Sequence, residues 1–486
     1  MTNFAPTDEQ QAIINFACNE TRNLAVIARA GAAKTTTLVL IAEALPKVDI
    51  LCLAFNKKIA LEMEERLPSN CSSKTLHSLG YSAWYAFTRN KPRLDNRKGY
   101  RLLKAEIEKL DGEDKTAAYE SMADTLNLIA TAKGAGYLPA RFKGHWKPLQ
   151  TDGVQFYGAQ PMEPSQLQEN LVDACLIASF REALEGNIDF DDMVYCPAIC
   201  SVSWPVHQLY LVDEGQDLSP LNHHVLKKMI RNRRVIVVGD PLQAIYGFRG
   251  ADTQSLGKLI KMFDMDSLYL TMTFRCARKI VEQARWRAPD MVHPVNAPEG
   301  EVRAPVTWDF NDSAPGDAFI CRNNAPLFSL AIQMINNGLM PELAGKDLAG
   351  PMKKIMSKLG KPPMLRDSAL HALGEWEAQE LKRARGGAKG SIRDKASCIR
   401  LIIEQTRTLG DAIAYLEHLL SRPGRYRLMT GHKAKGLEFD RVWFLDPHIC
   451  NMDNEQDKNL KYVIETRAKR SLNYIRSDAR VGWNEE

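Results

Sequence analysis

Short apolar runs rich in β-branched residues recur along the chain, at 23–28, 49–55, 209–214, 234–240, 317–322 and 441–446, and each closes on polar or glycine-rich residues. Within these runs the alternation of inward and outward positions is lost, which is the pattern of strands covered on both faces in a parallel sheet. The stretches between them, such as TTTLVLIAEAL at 35–45 and KKIALEMEERL at 57–67, carry helical spacing. The expected fold class is therefore α/β. The strands fall into two groups, 1–255 and 256–486, and a long helical or irregular stretch interrupts each. The expected domains are 1–84 with 191–255, split by an insertion at 85–190, then 256–345 with 425–486, split by a smaller insertion at 346–424. The second insertion holds the basic run LKRARGGAKGSIRDK at 381–395. Two readings of it stand open: a solvated loop, or phosphate contact through Lys382, Arg383, Arg385 and Lys389.

At 486 residues with 45% hydrophobic content, the chain can build several ordinary cores, and its net charge of +5 gives no strong sign of a polyanionic partner by itself. The ten cysteines are scattered through apolar stretches, as at Cys52 and Cys175, and do not form a disulfide framework. A reducing, intracellular setting is expected. Cys196, Cys200 and His207 lack the second half of a zinc pattern, so no zinc is expected. No apolar run approaches membrane-spanning length, and the N-terminus lacks the basic and apolar regions of an export signal, so no membrane partner is expected.

Chemistry enters at AVIARAGAAKTTTL, residues 25–38, which runs strand, small-residue loop, helix. In such a loop the backbone N–H groups of Ala30, Gly31, Ala32, Ala33 and Thr36 and the positive helix end face phosphates. Lys34 reaches the β- and γ-phosphates, and the Thr35 hydroxyl meets Mg²⁺. Ala28 and Ala33 stand where glycines are usual, and each added Cβ restricts φ and the approach of backbone to phosphate. At 209–217, LYLVDEGQD, an apolar strand delivers two carboxylates to its C-terminal end, where α/β sheets bind ligands. Asp213 suits Mg²⁺ and Glu214 suits activation of the attacking water.

With VVGDPLQAIYGFRGA at 237–251 added, the sequence resembles superfamily 1 DNA helicases of the UvrD/Rep/PcrA type, with local similarity to the F-box DNA helicase branch. Motifs in family order run from Gln10 to Tyr474. The resemblance implies two RecA-like P-loop domains, 1A and 2A, with inserted subdomains 1B and 2B. It implies that Gln10 reads adenine and that Gln243 senses the γ-phosphate. LTMTFRC at 270–276 resembles motif IV, in which Phe274 stacks on adenine and Arg275 is an arginine finger. KYVIETRAKRSLNYI at 461–475 resembles motif VI, with Arg467 as the second finger. DNA contacts are implied for Phe55, Asn56, Thr75, His77, Tyr246, Phe248 and Arg249. RLMTGHKAKGLEFDRVWFL at 427–445 resembles motif V and adds Thr430, His432 and Lys435, with a ribose contact from Glu438.

The expectation is an ATP- and Mg²⁺-dependent helicase or translocase moving 3′-to-5′ on single-stranded DNA and at single-strand/duplex junctions, among replication or repair proteins. Closure of the two lobes on the nucleotide would shift the strand. Two other readings stay open: a translocase that remodels protein–DNA complexes with little unwinding, because the second insertion is short, and a catalytically weak DNA-binding scaffold. The chain stops soon after motif VI, and no fused nuclease is expected.

Overall fold

In the computed structural model, residues 5–140, 153–160, 163–247, 254–384 and 388–480 are described. The apolar run at 23–28 forms β1 (Asn23–Ala28). In chain order there follow β2 (Ile50–Leu53), β3 (Cys71–Lys74), β4 (Arg93–Leu94), β5 (Asn187–Ile188), β6 (Leu209–Val212), β7 (Arg234–Gly239) and β8 (Met265–Leu270). Six of these make one parallel sheet in the order β3-β2-β6-β7-β1-β8. Val26 of β1 sits opposite Val238 on one side and Leu268 on the other. Because β6, β7 and β1 are neighbours, the C-terminal ends of the three strands lie side by side, and this adjacency positions the site.

Two strands of this sheet carry no apolar run. β3 is short and polar, and β8 alternates half-buried and exposed positions between its two buried ends, as suits an outer strand. Since β8 pairs with β1, the first unit continues to Leu270, whereas the sequence reading closes it at 255.

The first insertion is helical. Its helices Lys98–Ile107, Met122–Ala135 and Gln166–Leu184 share a core of Leu103, Ile107, Ile129, Val172 and Leu176. The β4–β5 pair closes its base, with Leu94 opposite Ile188. Beside that pair, Lys98 and Lys133, both fully buried, bond to opposite oxygens of buried Asp192 at 2.6 and 2.7 Å.

The second unit, Thr271–Glu486 with Arg29–Ala32, holds β9 (Glu301–Arg303), β10 (Ala318–Cys321), β11 (Pro341–Leu343), β12 (Tyr426–Thr430), β13 (Phe439–Leu445) and β14 (Ala468–Ile475). Its sheet is also parallel, in the order β11-β12-β10-β13-β14-β9. The second insertion is four helices, Lys346–Leu359, Arg366–Arg383, Ala388–Glu404 and Leu409–Ser421. Their Met356, Leu373, Ile399 and Leu416 pack in one core with Phe319 of β10. The loop reading of 381–395 is thereby corrected: Lys382 and Arg383 end one helix and Lys389 begins the next, where Ile392, Ala396 and Ile399 supply a buried face. Arg385 lies outside the described residues.

Candidate active site

β1 ends at Ala28, and the chain turns through two left-handed residues, Gly31 (φ 73°) and Ala33 (φ 56°), into the helix Lys34–Ala44. Ala33 is the residue before that helix and offers no side-chain cap, so the first N–H groups of the helix are left to the loop's concave side. A left-handed alanine is strained, and such strain persists where the surrounding structure demands a special turn. Within the second unit, to which Arg29–Ala32 belong, the Ala30 N–H donates to the Tyr462 hydroxyl at 3.0 Å.

Beside Lys34 and Thr35, β6 delivers Asp213 and Glu214, the latter also left-handed at φ 51°. Glu214 holds the Lys34 ammonium at 3.1 Å, and Thr35 Oγ1 lies 3.5 Å from Asp213 Oδ2. Burial works against the charge on Lys34, but Glu214, Asp240 and Asp213 outweigh it and raise its pKa. Burial together with the Glu214 charge pushes Asp213 up to about 7. A buried carboxyl in that condition gains most from a nearby cation. A hydroxyl and a carboxylate are the hard oxygen donors that suit Mg²⁺, so these residues fit the expected ion.

The turn Gly215–Asp217 follows, and its Gln216 amide bridges two strands: Nε2 donates to Glu214, while Oε1 accepts the Asp240 N–H at 3.0 Å. From the end of β7, Asp240 in turn accepts Gln243 Nε2 at 2.7 Å. Lys34, Thr35, Asp213, Glu214 and Gln243 thus share one edge of one sheet. Gln10 bonds to Thr37 Oγ1 at 3.1 Å, and its Oε1 accepts the Thr7 N–H within a capping box. Thr36 accepts a bond from Arg66.

Of the nucleic-acid candidates in this unit, Phe55 is exposed and parallel to Tyr246, with centroids 6.4 Å apart and planes 5° apart. Asn56 and Thr75 cap the helices Lys57–Glu64 and Leu76–Thr88. His77 stacks on Phe190 at 4.1 Å, and burial lowers its pKa to about 4, so it is neutral. Sequence reading passes over Phe190, although a phenylalanine set among the acids of DFDD and more than half exposed is itself a signal. Phe248 and Arg249 lie outside the described residues.

In the second unit, Arg275 Nε donates to Glu438 at 2.8 Å and its Nη1 to the Thr466 carbonyl at 3.3 Å. Phe274 is exposed beside it. Arg467 is buried and donates to the carbonyls of Val463 and Leu437 at 3.0 and 3.1 Å. Arg275, Glu438 and the motif VI turn therefore form one cluster. Thr430 is buried at the end of β12, and His432 and Lys435 are half-buried just after it.

No group of three or more metal-binding side chains occurs among the described residues, and none of their helices is long and apolar enough to cross a membrane. Cys196 and Cys200 are buried thiols that burial pushes well above the usual range, Cys200 to about 12.

Residues 7–264 match the model of the UvrD/REP helicase N-terminal domain, and 426–475 match that of the UvrD-like helicase C-terminal domain. The chain is 25% identical to an F-box DNA helicase 1 of Gallus gallus over 96% of its own length and 48% of that protein. It is 26% identical to an F-box DNA helicase protein 1 of Schizosaccharomyces pombe over 96% of its length and 57% of the relative. With DNA helicase II of Escherichia coli it shares 22% identity, over 80% of this chain and 55% of that one. The chain thus spans about half the length of these curated relatives.

Proposed function

The chain belongs to the UvrD/REP helicase family, and on that premise we propose that it hydrolyses ATP to move 3′-to-5′ along single-stranded DNA and to open duplex at junctions. The observation that carries this reading is the convergence of Lys34, Thr35, Asp213, Glu214 and Gln243 at the C-terminal edge of one parallel sheet. In it Lys34 and the loop Gly31–Thr36 bind the phosphates, while the Ala30 N–H is held by Tyr462. Thr35 and Asp213 hold Mg²⁺, which, when bound, neutralises charge on the phosphate oxygens. Glu214 takes the proton of the attacking water, Gln243 senses the γ-phosphate, and Arg275 and Arg467 stabilise the transferred group. Gln10 and Phe274 hold the adenine and Glu438 the ribose.

The parallel pair Phe55–Tyr246 and the stack His77–Phe190 support base stacking, which tolerates any sequence. Asn56, Thr75, Phe248, Arg249, Thr430, His432 and Lys435 complete the strand's path. The two sheets serve as 1A and 2A and the two helical insertions as 1B and 2B, with replication or repair proteins as partners.

The test is ATP hydrolysis with and without single-stranded DNA in wild type, Lys34→Ala and Glu214→Gln. The expected result is strong stimulation by DNA, abolished in both variants. A wild type that binds DNA and never hydrolyses ATP sinks the motor reading and leaves a scaffold.

A further inference from the structure

The turn that follows Glu214 has a second set of ties. Ser255 begins the helix Ser255–Phe263, and its buried Oγ lies 2.5 Å from the Gly215 carbonyl oxygen. His223, also buried, places Nε2 at 2.8 Å from the same hydroxyl. A carbonyl can only accept, so the single hydroxyl proton of Ser255 goes to Gly215, and His223 must donate from a protonated Nε2. The bonds therefore run in one direction: His223 to Ser255 to the Gly215 carbonyl. Gly215 is closely packed, because a Cβ there would clash with Val237 Cγ1 and touch Leu256 and Leu259.

The neighbouring residue Gln216 already holds the Asp240 N–H. Asp240 leads on to Gln243 and Tyr246, so the turn after Glu214 is tied to that segment through Gln216 and, separately, to Ser255 through the Gly215 carbonyl. A push on Tyr246 by a stacked base reaches the turn through the buried Asp240–Gln216 bond, while the buried Ser255–Gly215 bond holds the turn's other side, so that the push bears on Glu214. We propose that Ser255, oriented by His223, is a positioning residue that makes hydrolysis at Glu214 respond to DNA. This rests on the DNA-stimulated ATPase reading above.

The experiment measures steady-state ATP hydrolysis by the full chain, with and without a thymidine oligonucleotide, together with thermal stability. In Ser255→Ala the KM for ATP should stay within about twofold while the DNA-stimulated kcat falls about tenfold, the scale of one lost hydrogen bond in the transition state. His223→Leu should show the same loss, His223→Gln, which keeps an N–H donor, should recover it, and the double variant should be no worse than either single one.

A stimulated wild type whose stimulation survives in Ser255→Ala and His223→Leu overturns this inference alone. So does a loss that follows the melting temperature and is not recovered by His223→Gln. A wild type without DNA stimulation overturns the functional reading and this inference with it.

Discussion

At the scale of single residues, the family's glycine before the lysine is an alanine held at φ 56°. A left-handed Cβ costs about 1–2 kcal/mol, and a glycine there would lose more chain entropy on folding by a comparable amount. Ala33→Gly should therefore change stability by less than about 1 kcal/mol in a denaturant titration. The loop should gain instead: with the Cβ gone, the ATP-analogue Kd from a fluorescence titration should fall several-fold, and an unchanged Kd would show that Ala33 does not narrow the cradle. Glu465 offers a separate test. Burial pushes its carboxyl up to about 7 although Trp286 and Tyr474 both donate to it. Between the ordinary value near 4.5 and about 7 the native state keeps a proton that the unfolded chain releases, so this group's contribution to stability falls as pH rises through that window and is level above it. Glu465→Gln should remove the slope and be the more stable protein at pH 8, by up to about 3 kcal/mol. The proposed trio Lys34, Asp213 and Glu214 was legible from local signals: Asp213 and Glu214 follow directly on an apolar strand, and Lys34 opens the helix after another. His223 and Ser255 were not, because their meaning lies in a contact with a carbonyl far away in sequence.

At the scale of elements, what the sequence displayed was hydrophobic continuity. β1, β6, β7, β10 and β13 are strands buried on both faces and were legible for that reason. β3, β8, β9 and β11 lie toward sheet edges, are short or alternate, and resemble loops until their partners are known. The basic run in the second insertion misled in the same way: its charges cover the outer face of a helix whose Ile392, Ala396 and Ile399 are buried. The first insertion depends on a polar core that periodicity cannot announce. Lys98, Lys133 and Asp192 tie together the helices Lys98–Ile107, Met122–Ala135 and Asp192–Ile199. Replacing Asp192 with alanine leaves buried Lys98 with carbonyl acceptors and no counter-charge, and Lys133 with Asp189 alone as counter-charge. It should cost roughly 3–5 kcal/mol by chemical denaturation. A loss below about 1 kcal/mol would mean that water reaches the lysines.

At the scale of the molecule, each sheet has its own buried core, one around Leu51, Trp84, Tyr210 and Val237 and the other around Phe319, Phe328, Trp443 and Ile399. Cores that share no residues can melt in separate cooperative steps. Denaturant titration of the full chain should therefore show more than one transition, and the single-site variants tell which is which. Asp192→Ala should shift the step that belongs to the first unit and leave the other in place, while Glu465→Gln at pH 8 should shift only the step that belongs to the second. Adding Mg²⁺ and a non-hydrolysable ATP analogue should raise the step that Asp192→Ala lowers, because Lys34, Thr35 and Asp213 all belong to that unit, and a ligand at 100 times its Kd adds about 2.7 kcal/mol. Lys34→Ala should lose that gain and keep both transitions. A single transition moved equally by Asp192→Ala and Glu465→Gln would show that the two units unfold as one.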